Sequence, residues 1–399
     1  MKFRATLLAT LVCLIAIAFF ARASAAKTLL VDVNMVACPT AAYTSIQAAV
    51  NAASSGDTIR ICPGVYVEQV SIDKSLTLTA ESGAILMPSS LQSNSTSLSD
   101  GSPLAVALLV TNTTGVTISG LIVDGTNNAI SECPPPDLFG IAFQNASGTI
   151  EHSTVRYFEL TTALNGCQSG TGILVQSGGG QSSTVTIETS SIHDYQKNGI
   201  TANDVGTSVV INSNTVTGVG PTTGAAQNGI QIGYGATGSI TNNTVTNNVW
   251  SPCTAVATCT AVATNILVYE SDGITLTNNV VSVSQVGIFI AANNAKLTGN
   301  RSSANSVFDG IRLEGTSPNS SNSNSVQSNT VVNSSESGIY VDGNSNTIET
   351  NTIIEAGVGI LVTTGSTGNL ISRNSIFDCP TTIQDPKVRN IAQLLKPQR

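Results

Sequence analysis

The chain has 399 residues, of which 41% are hydrophobic, 10% charged and 4% aromatic. Without its first 25 residues it carries 13 basic against 24 acidic side chains, a net charge of −11, which argues against nucleic acid or an anionic membrane as partner and against unassisted binding of a polyanion such as pectate. Val and Ile alternate regularly among Ser, Thr, Asn and Gly throughout, which excludes a disordered stalk of similar composition.

Residues 1–25 read as a signal peptide, with Lys2 and Arg4 before an apolar run over 7–20 and Ala23-Ser24-Ala25 ahead of Ala26. The run is too short for a membrane span, so the expectation is a secreted protein, extracellular or periplasmic. Residues 26–80 read as an N-terminal cap and first coils. A strand is predicted over 28–33 and a short helix over 43–53, with Thr44 and Gln47 at capping-box spacing and Ile46, Ala49, Val50 and Ala53 on one apolar face. Such a helix covers a sheet edge that the first coil otherwise exposes. Residues 89–103 form a polar excursion.

From 81 to 379 the chain repeats a short pattern. Near its end Gly287-Ile288-Phe289-Ile290, Gly310-Ile311-Arg312-Leu313, Gly338-Ile339-Tyr340-Val341 and Gly359-Ile360-Leu361-Val362 follow one another at 21 to 28 residues, each trailed by an Asn-led triplet such as Asn329-Thr330-Val331. Coils of this length cannot bury their own apolar face, but stacked about 4.8 Å apart they share a continuous interior. The predicted fold is therefore all-β, a single-stranded right-handed parallel β-helix (solenoid) of ten to twelve coils with a short N-terminal capping helix. Ile and the following Val or Ile should point inward and the residue between them outward. The glycine is expected to supply positive φ at a corner. The asparagine is expected at a second corner, with a left-handed backbone and a hydrogen bond to the next coil. Residues 380–399 are expected to be a C-terminal cap and basic tail, and the assembly a monomer.

Seven cysteines remain after residue 25, and their positions suggest pairs: Cys38 with Cys62 around the cap, Cys133 with Cys167 in loops of equal phase, and Cys253 with Cys259 in one loop. Cys379 is left over. Loops over 126–139, 161–171, 218–228 and 249–264 all precede a Gly-Ile strand, so they should pile up along one edge and wall a groove.

Residues 43–50, with Gly56-Asp57-Thr58-Ile59-Arg60-Ile61, Pro63-Gly64-Val65-Tyr66-Val67-Glu68 and the strands up to Leu78, resemble the opening of secreted right-handed parallel β-helix proteins of the pectin lyase-like superfamily, including pectin methylesterases. The resemblance implies the fold and a carbohydrate partner. It does not extend to the catalytic motifs: the Trp-Ile-Asp-His run of pectate lyases, the Gly-His-Gly and Arg-Ile-Lys of polygalacturonases and the later motifs of pectin methylesterases are missing, and His193-Asp194 keeps only the last two letters of the alginate epimerase Asp-Pro-His-Asp.

Two sets of residues could carry chemistry. Asn203, Gln231, Tyr269, Phe289, Tyr340 and Asp342, with Gln144 and Gln176, lie on the outward side of the Gly-Ile strands, where aromatic rings and planar amides suit sugars; a solvated ladder face is the bland reading. Lys197, with Asp194 or His193 as partner, could abstract a proton beside a uronate carboxylate, against the plain reading of a surface Lys–Asp pair. Arg312 and Glu314 are further catalytic candidates, and Glu314, Asp309, Asp342 and Glu270 could pair as carboxylates for glycoside hydrolysis. No cofactor is evident, no metal cluster has recognised ligand spacing, and no motif supplies ligands for Ca2+. The expectation is thus a secreted polysaccharide-interacting protein whose activity, if it has one, is that of a polysaccharide lyase or glycoside hydrolase in the groove beside the Gly-Ile strands, with a non-catalytic, adhesin-like glycan-binding protein as the alternative.

Overall fold

A computed structural model describes residues 26–133, 136–315 and 321–386. The expected signal peptide, and the tail beyond 386, lie outside the described residues. The described chain winds as a right-handed parallel β-helix, each coil laying one strand on each of three faces.

The first face is a thirteen-stranded parallel sheet from Thr28–Val31 to Leu370–Ser372. The second holds Thr154–Phe158 and Ser191–Tyr195, each led by a serine, and then the Asn-led strands such as Thr244–Trp250. The third holds the Gly-Ile strands, among them Asp137–Gln144, Thr171–Gln176, Asn198–Asn203, Asn228–Gly233 and Thr264–Tyr269. In the late coils the second and third faces run together as Thr330–Asp342 and Thr352–Val362.

Ile141, Ile173, Ile200, Ile230, Ile266 and Ile288 stand in register from coil to coil and are fully buried. At about 1.5–3 kcal/mol for each such side chain, this inner file is a main source of stability. The outward side chains between them behave as the period of two requires.

The asparagine corner forms a ladder. Asn214, Asn243, Asn279, Asn300, Asn329, Asn351 and Asn374 are linked side chain to side chain at 2.9–3.1 Å. Each amide also donates to a backbone carbonyl, as Asn300 does to Leu276 at 2.9 Å. One detail differs from expectation: the left-handed residue is the one before, for example Asn242, Asn278 or Ser328. The ladder asparagine is reserved for its amide.

The glycines also differ from expectation. Gly140, Gly172, Gly199 and Gly229 are not in the positive-φ region; a Cβ at Gly229 would lie 2.2 Å from Val245 Cγ1 and 2.6 Å from Asn265 O, and one at Gly199 2.5 Å from both Gly229 O and Val216 Cγ1. Glycine is required there for space. The positive φ falls earlier, on non-glycine residues at the end of the second-face strand, such as Tyr157, Asp194, Asn247 and Val283. That turn drives the next residue inward, where Tyr195, Asn248, Ser284, Asn305 and Ser334 are buried. Four of them hydrogen-bond with Asn265 in a second file: Asn248 to Asn265 at 2.9 Å, Asn265 to Ser284 at 3.1 Å, Ser284 to Asn305 at 3.2 Å and Asn305 to Ser334 at 3.0 Å.

The cap helix spans Ile46–Ala52 and buries Ile46, Ala49 and Val50. Its N-cap is Ser45 rather than Thr44, with the hydroxyl accepting from Ala48 N at 3.2 Å. Register shifts by one residue because Glu68, from the next coil, accepts from Ile46 N and Gln47 N at 2.7 and 2.9 Å. A carboxylate over a helix N-terminus satisfies free amides and opposes the dipole. Gln47, expected to close a capping box, instead bonds Ser71.

Candidate functional site

All three expected disulfides form: Cys38–Cys62, Cys133–Cys167 and Cys253–Cys259, while Cys379 is free. The second ties loop 126–139 to loop 161–171. Asn165 Nδ2 then reaches Thr223 Oγ1 at 2.7 Å and Gly166 N reaches Gly224 O at 2.6 Å, so the equal-phase loops do pile up as a wall.

The opposite wall comes from the excursion over 89–103. It contains a short antiparallel pairing of Ser95–Thr96 with Pro103 and Leu104 and lies across the third face as a strap. Ser95 Oγ donates to Gln144 Oε1. Leu98 N donates to Gln176 Oε1 at 3.0 Å, and Gln176 Nε2 donates to Ser99 Oγ at 2.7 Å. Gln144 and Gln176 are therefore anchors of the strap, not open contacts for a sugar.

Between strap and loop wall lies a cleft of about 490 Å³. Its floor is an amide network: Asn228 Nδ2 donates to Asn198 Oδ1 at 3.1 Å, Asn198 Nδ2 to Thr201 Oγ1 at 2.9 Å and to Gln231 Oε1 at 3.2 Å, and Gln231 Nε2 to Asn203 Oδ1 at 3.2 Å. Tyr234 and Tyr269 close one end, their rings 5.3 Å apart and inclined at 62°. Asn203, Gln231 and Tyr269 are thus brought together as expected, and Tyr234 joins them.

Lys197 also lines the cleft. Its Nζ donates to Ala226 O at 2.9 Å, and burial alone lowers its pKa to about 8. Its expected partners are elsewhere. Asp194 and His193 sit on the second face, joined to each other at 2.6 Å, with His193 edge-on to Tyr157 at 6.0 Å; neither lines the cleft. The left-handed turn at Asp194 puts a corner of the solenoid between them and Lys197.

Two acids in the cleft escaped the sequence reading. Asp137, at the start of a Gly-Ile strand, has its pKa raised by burial and by the charge of Asp100, against a lowering hydrogen bond from Ser169. Asp100, on the strap, is held low by Ser102, whose N and Oγ donate to it at 3.0 and 2.8 Å. Asp137 stands in register beside Leu104, at the end of the strap that carries Asp100.

Arg312, Glu314, Phe289, Tyr340 and Asp342 lie further along the same face, outside the cleft lining. Arg312 is nearly buried, 2.5 Å from both Asp309 and Glu314, and its guanidinium lies 3.9 Å from the Tyr340 ring centre. Burial pushes the Asp309 carboxyl up to about 6 in spite of Arg312. Glu314 and Asp342 are register neighbours, hence about 4.8 Å apart along the stack, and Asp342 accepts from Thr363 Oγ1 at 2.7 Å. This is a closed ion-pair cluster packed on rings.

A family model described as periplasmic copper-binding protein (NosD) matches residues 251–386. No curated protein matches. Among solved structures, the lacto-N-biosidase from Eubacterium ramulus aligns at TM-score 0.60 and 12% identity over 88% of this chain and 68% of its own. DFA-IIIase from Arthrobacter chlorophenolicus aligns at 0.50 and 16% over 87% of each chain, and the Dettilon tailspike protein at 0.51 and 15% over 83% of this chain and 63% of the tailspike.

Copper does not suit the residues present. The matched segment has neither His nor Met, the soft or imidazole donors copper favours; Cys253 and Cys259 are bonded to each other, and Cys379 stands alone. Among the described residues the one group of three potential donors is Cys38, Cys62 and Glu81, whose two sulfurs are consumed in a disulfide. Strand topology, repeat and structural likeness together place this chain among the right-handed parallel β-helix repeat proteins.

Proposed function

We propose that the protein is an exported glycan-interacting β-helix whose cleft takes a short segment of a polysaccharide. The observation that carries this reading is the floor of hydrogen-bonded amides from Asn198, Asn203, Asn228 and Gln231 ending at the Tyr234–Tyr269 pair. Amides offer paired donors and acceptors to sugar hydroxyls, and ring faces take the C–H side of a pyranose. Carbohydrate-acting proteins among the structural neighbours are compatible with it, and three disulfides suit an oxidising compartment outside the cytosol. No helix among the described residues is long and apolar enough to cross a membrane.

A lyase reading draws on one observation, the desolvated Lys197 amine in the cleft. The test is retention on an array of neutral and uronic glycans. Tyr269→Ala and Gln231→Leu should each weaken retention about tenfold or more, and Tyr157→Ala, on the second face, should not. Equal retention by all four proteins would remove the cleft from the account.

A further inference from the structure

The cleft holds a pair of acids beside its amides and rings. Asp137 and Asp100 both line it, together with Lys197, Tyr234 and Tyr269 as the other titratable groups; Asp204 approaches from the neighbouring turn through Ser99 at 2.6 Å. We propose that Asp137 and Asp100 hydrolyse a glycosidic bond of the bound glycan, Asp137 as general acid and Asp100 as the base that activates water; this rests on the glycan-binding reading of the same cleft.

The two carboxyls have opposite surroundings. Asp137 is half-buried between the strap and the Gly-Ile sheet, with Ser169 fixed beside it by Leu138 N at 2.8 Å. Asp100 is exposed to water at the tip of the strap and receives two hydrogen bonds from Ser102. Burial and the neighbouring negative charge raise the pKa of the first, while donors lower that of the second. Two carboxyls pushed apart in this way are an acid and a base for one reaction. The Lys197 amine has its own partner, donating to Ala226 O at 2.9 Å.

In the step, the Asp137 proton passes to the glycosidic oxygen as the bond from that oxygen to the anomeric carbon breaks. A water adds through its oxygen to the anomeric carbon and gives a proton to Asp100. The products are two shorter sugars, one with a new hemiacetal. Asp100 is left protonated and Asp137 ionised, and exchange with solvent restores both. No oxidant, reductant or metal enters the balance.

The full chain, Asp137→Asn, Asp100→Asn and Tyr269→Ala are to be compared on those neutral oligosaccharides that the full chain retains, reading retention and release of reducing ends separately. Both Asn variants should retain the sugar as the parent does and cleave it about 10²–10⁴-fold more slowly. In parallel, carboxyl NMR of the intact protein should show the Asp137 pKa above the ordinary range and moving down in Asp100→Asn. A sugar that is retained through Tyr269 but left uncut by the parent overturns the hydrolytic proposal and leaves binding intact; unchanged cleavage in either Asn variant, or an Asp137 pKa indifferent to Asp100, overturns it as well. Retention of no glycan at all sinks the binding reading and takes the proposal with it.

Discussion

Replacing Asn300 by Ala tests whether the asparagine ladder holds the coils in register. Asn300 is buried and makes four contacts along the file. Its Oδ1 accepts from Asn279 N at 3.0 Å and from Asn279 Nδ2 at 2.9 Å; its Nδ2 donates to Leu276 O at 2.9 Å and Asn329 Oδ1 at 3.0 Å. After truncation Asn279 Nδ2 keeps Ile240 O, Asn329 Oδ1 keeps Asn300 N and Leu276 O keeps its place in the parallel ladder, so the loss that matters is Asn279 N. A buried backbone group left unsatisfied costs about 1–3 kcal/mol, less whatever an entering water restores. Thr298→Ala, an outward substitution one strand away, should cost within about 0.5 kcal/mol. Urea unfolding followed by circular dichroism measures both. If Asn300→Ala lost under about 1 kcal/mol, or no more than Thr298→Ala, the ladder would be ornament on a helix held by its isoleucines alone.

Three further outcomes follow from the geometry. Gly229→Ala, which drives a Cβ into Val245 and the Asn265 carbonyl, should cost at least about 3 kcal/mol by overpacking, whereas Gly179→Ala, at positive φ in open space, should cost about 1–2 kcal/mol; comparable urea midpoints would refute the distinction between space and turn. The Lys197 pKa of about 8 lies below the ordinary lysine value of 10.5, so the unfolded chain binds the extra proton between these two values and stability should rise with pH across that window. Lys197→Met should abolish the rise and stabilise the protein at neutral pH by about 1–3 kcal/mol, and a flat pH profile in the parent would contradict the buried amine. Removing the Cys133–Cys167 bond with paired serines should leave the circular dichroism spectrum intact while weakening glycan retention, because it frees the loop wall and not the coils; loss of the spectrum would show that the bridge stabilises the solenoid itself.

What the sequence made legible is what repeats. The isoleucine file, the asparagine file and the Cys133–Cys167 bridge each occupy a fixed phase, and stacking turns equal phase into contact. What escaped it depends on contacts with no period. The strap is pinned through Ser95 to Gln144, Leu98 to Gln176 and Ser99 to Asp204, over separations of 49, 78 and 105 residues, so neither the wall it makes nor the role of Asp100 could be seen in a polar stretch. Asp137 carried one faint signal, an isolated acid just before a Gly-Ile strand. Asp194 misled for a local reason: it is close to Lys197 in sequence, yet a left-handed residue turns the chain to another face between them. The cap slipped by one residue because a carboxylate from the next coil, Glu68, decides where the helix begins.

The most direct test of the account is a crystal structure of the full chain with an oligosaccharide that it retains. The sugar should lie between the strap and the loop wall, with hydroxyls on Asn203 and Gln231, a ring against Tyr269 and a glycosidic oxygen facing Asp137. A sugar bound instead on the second face, beside His193 and Asp194, or on the Arg312 cluster would contradict it.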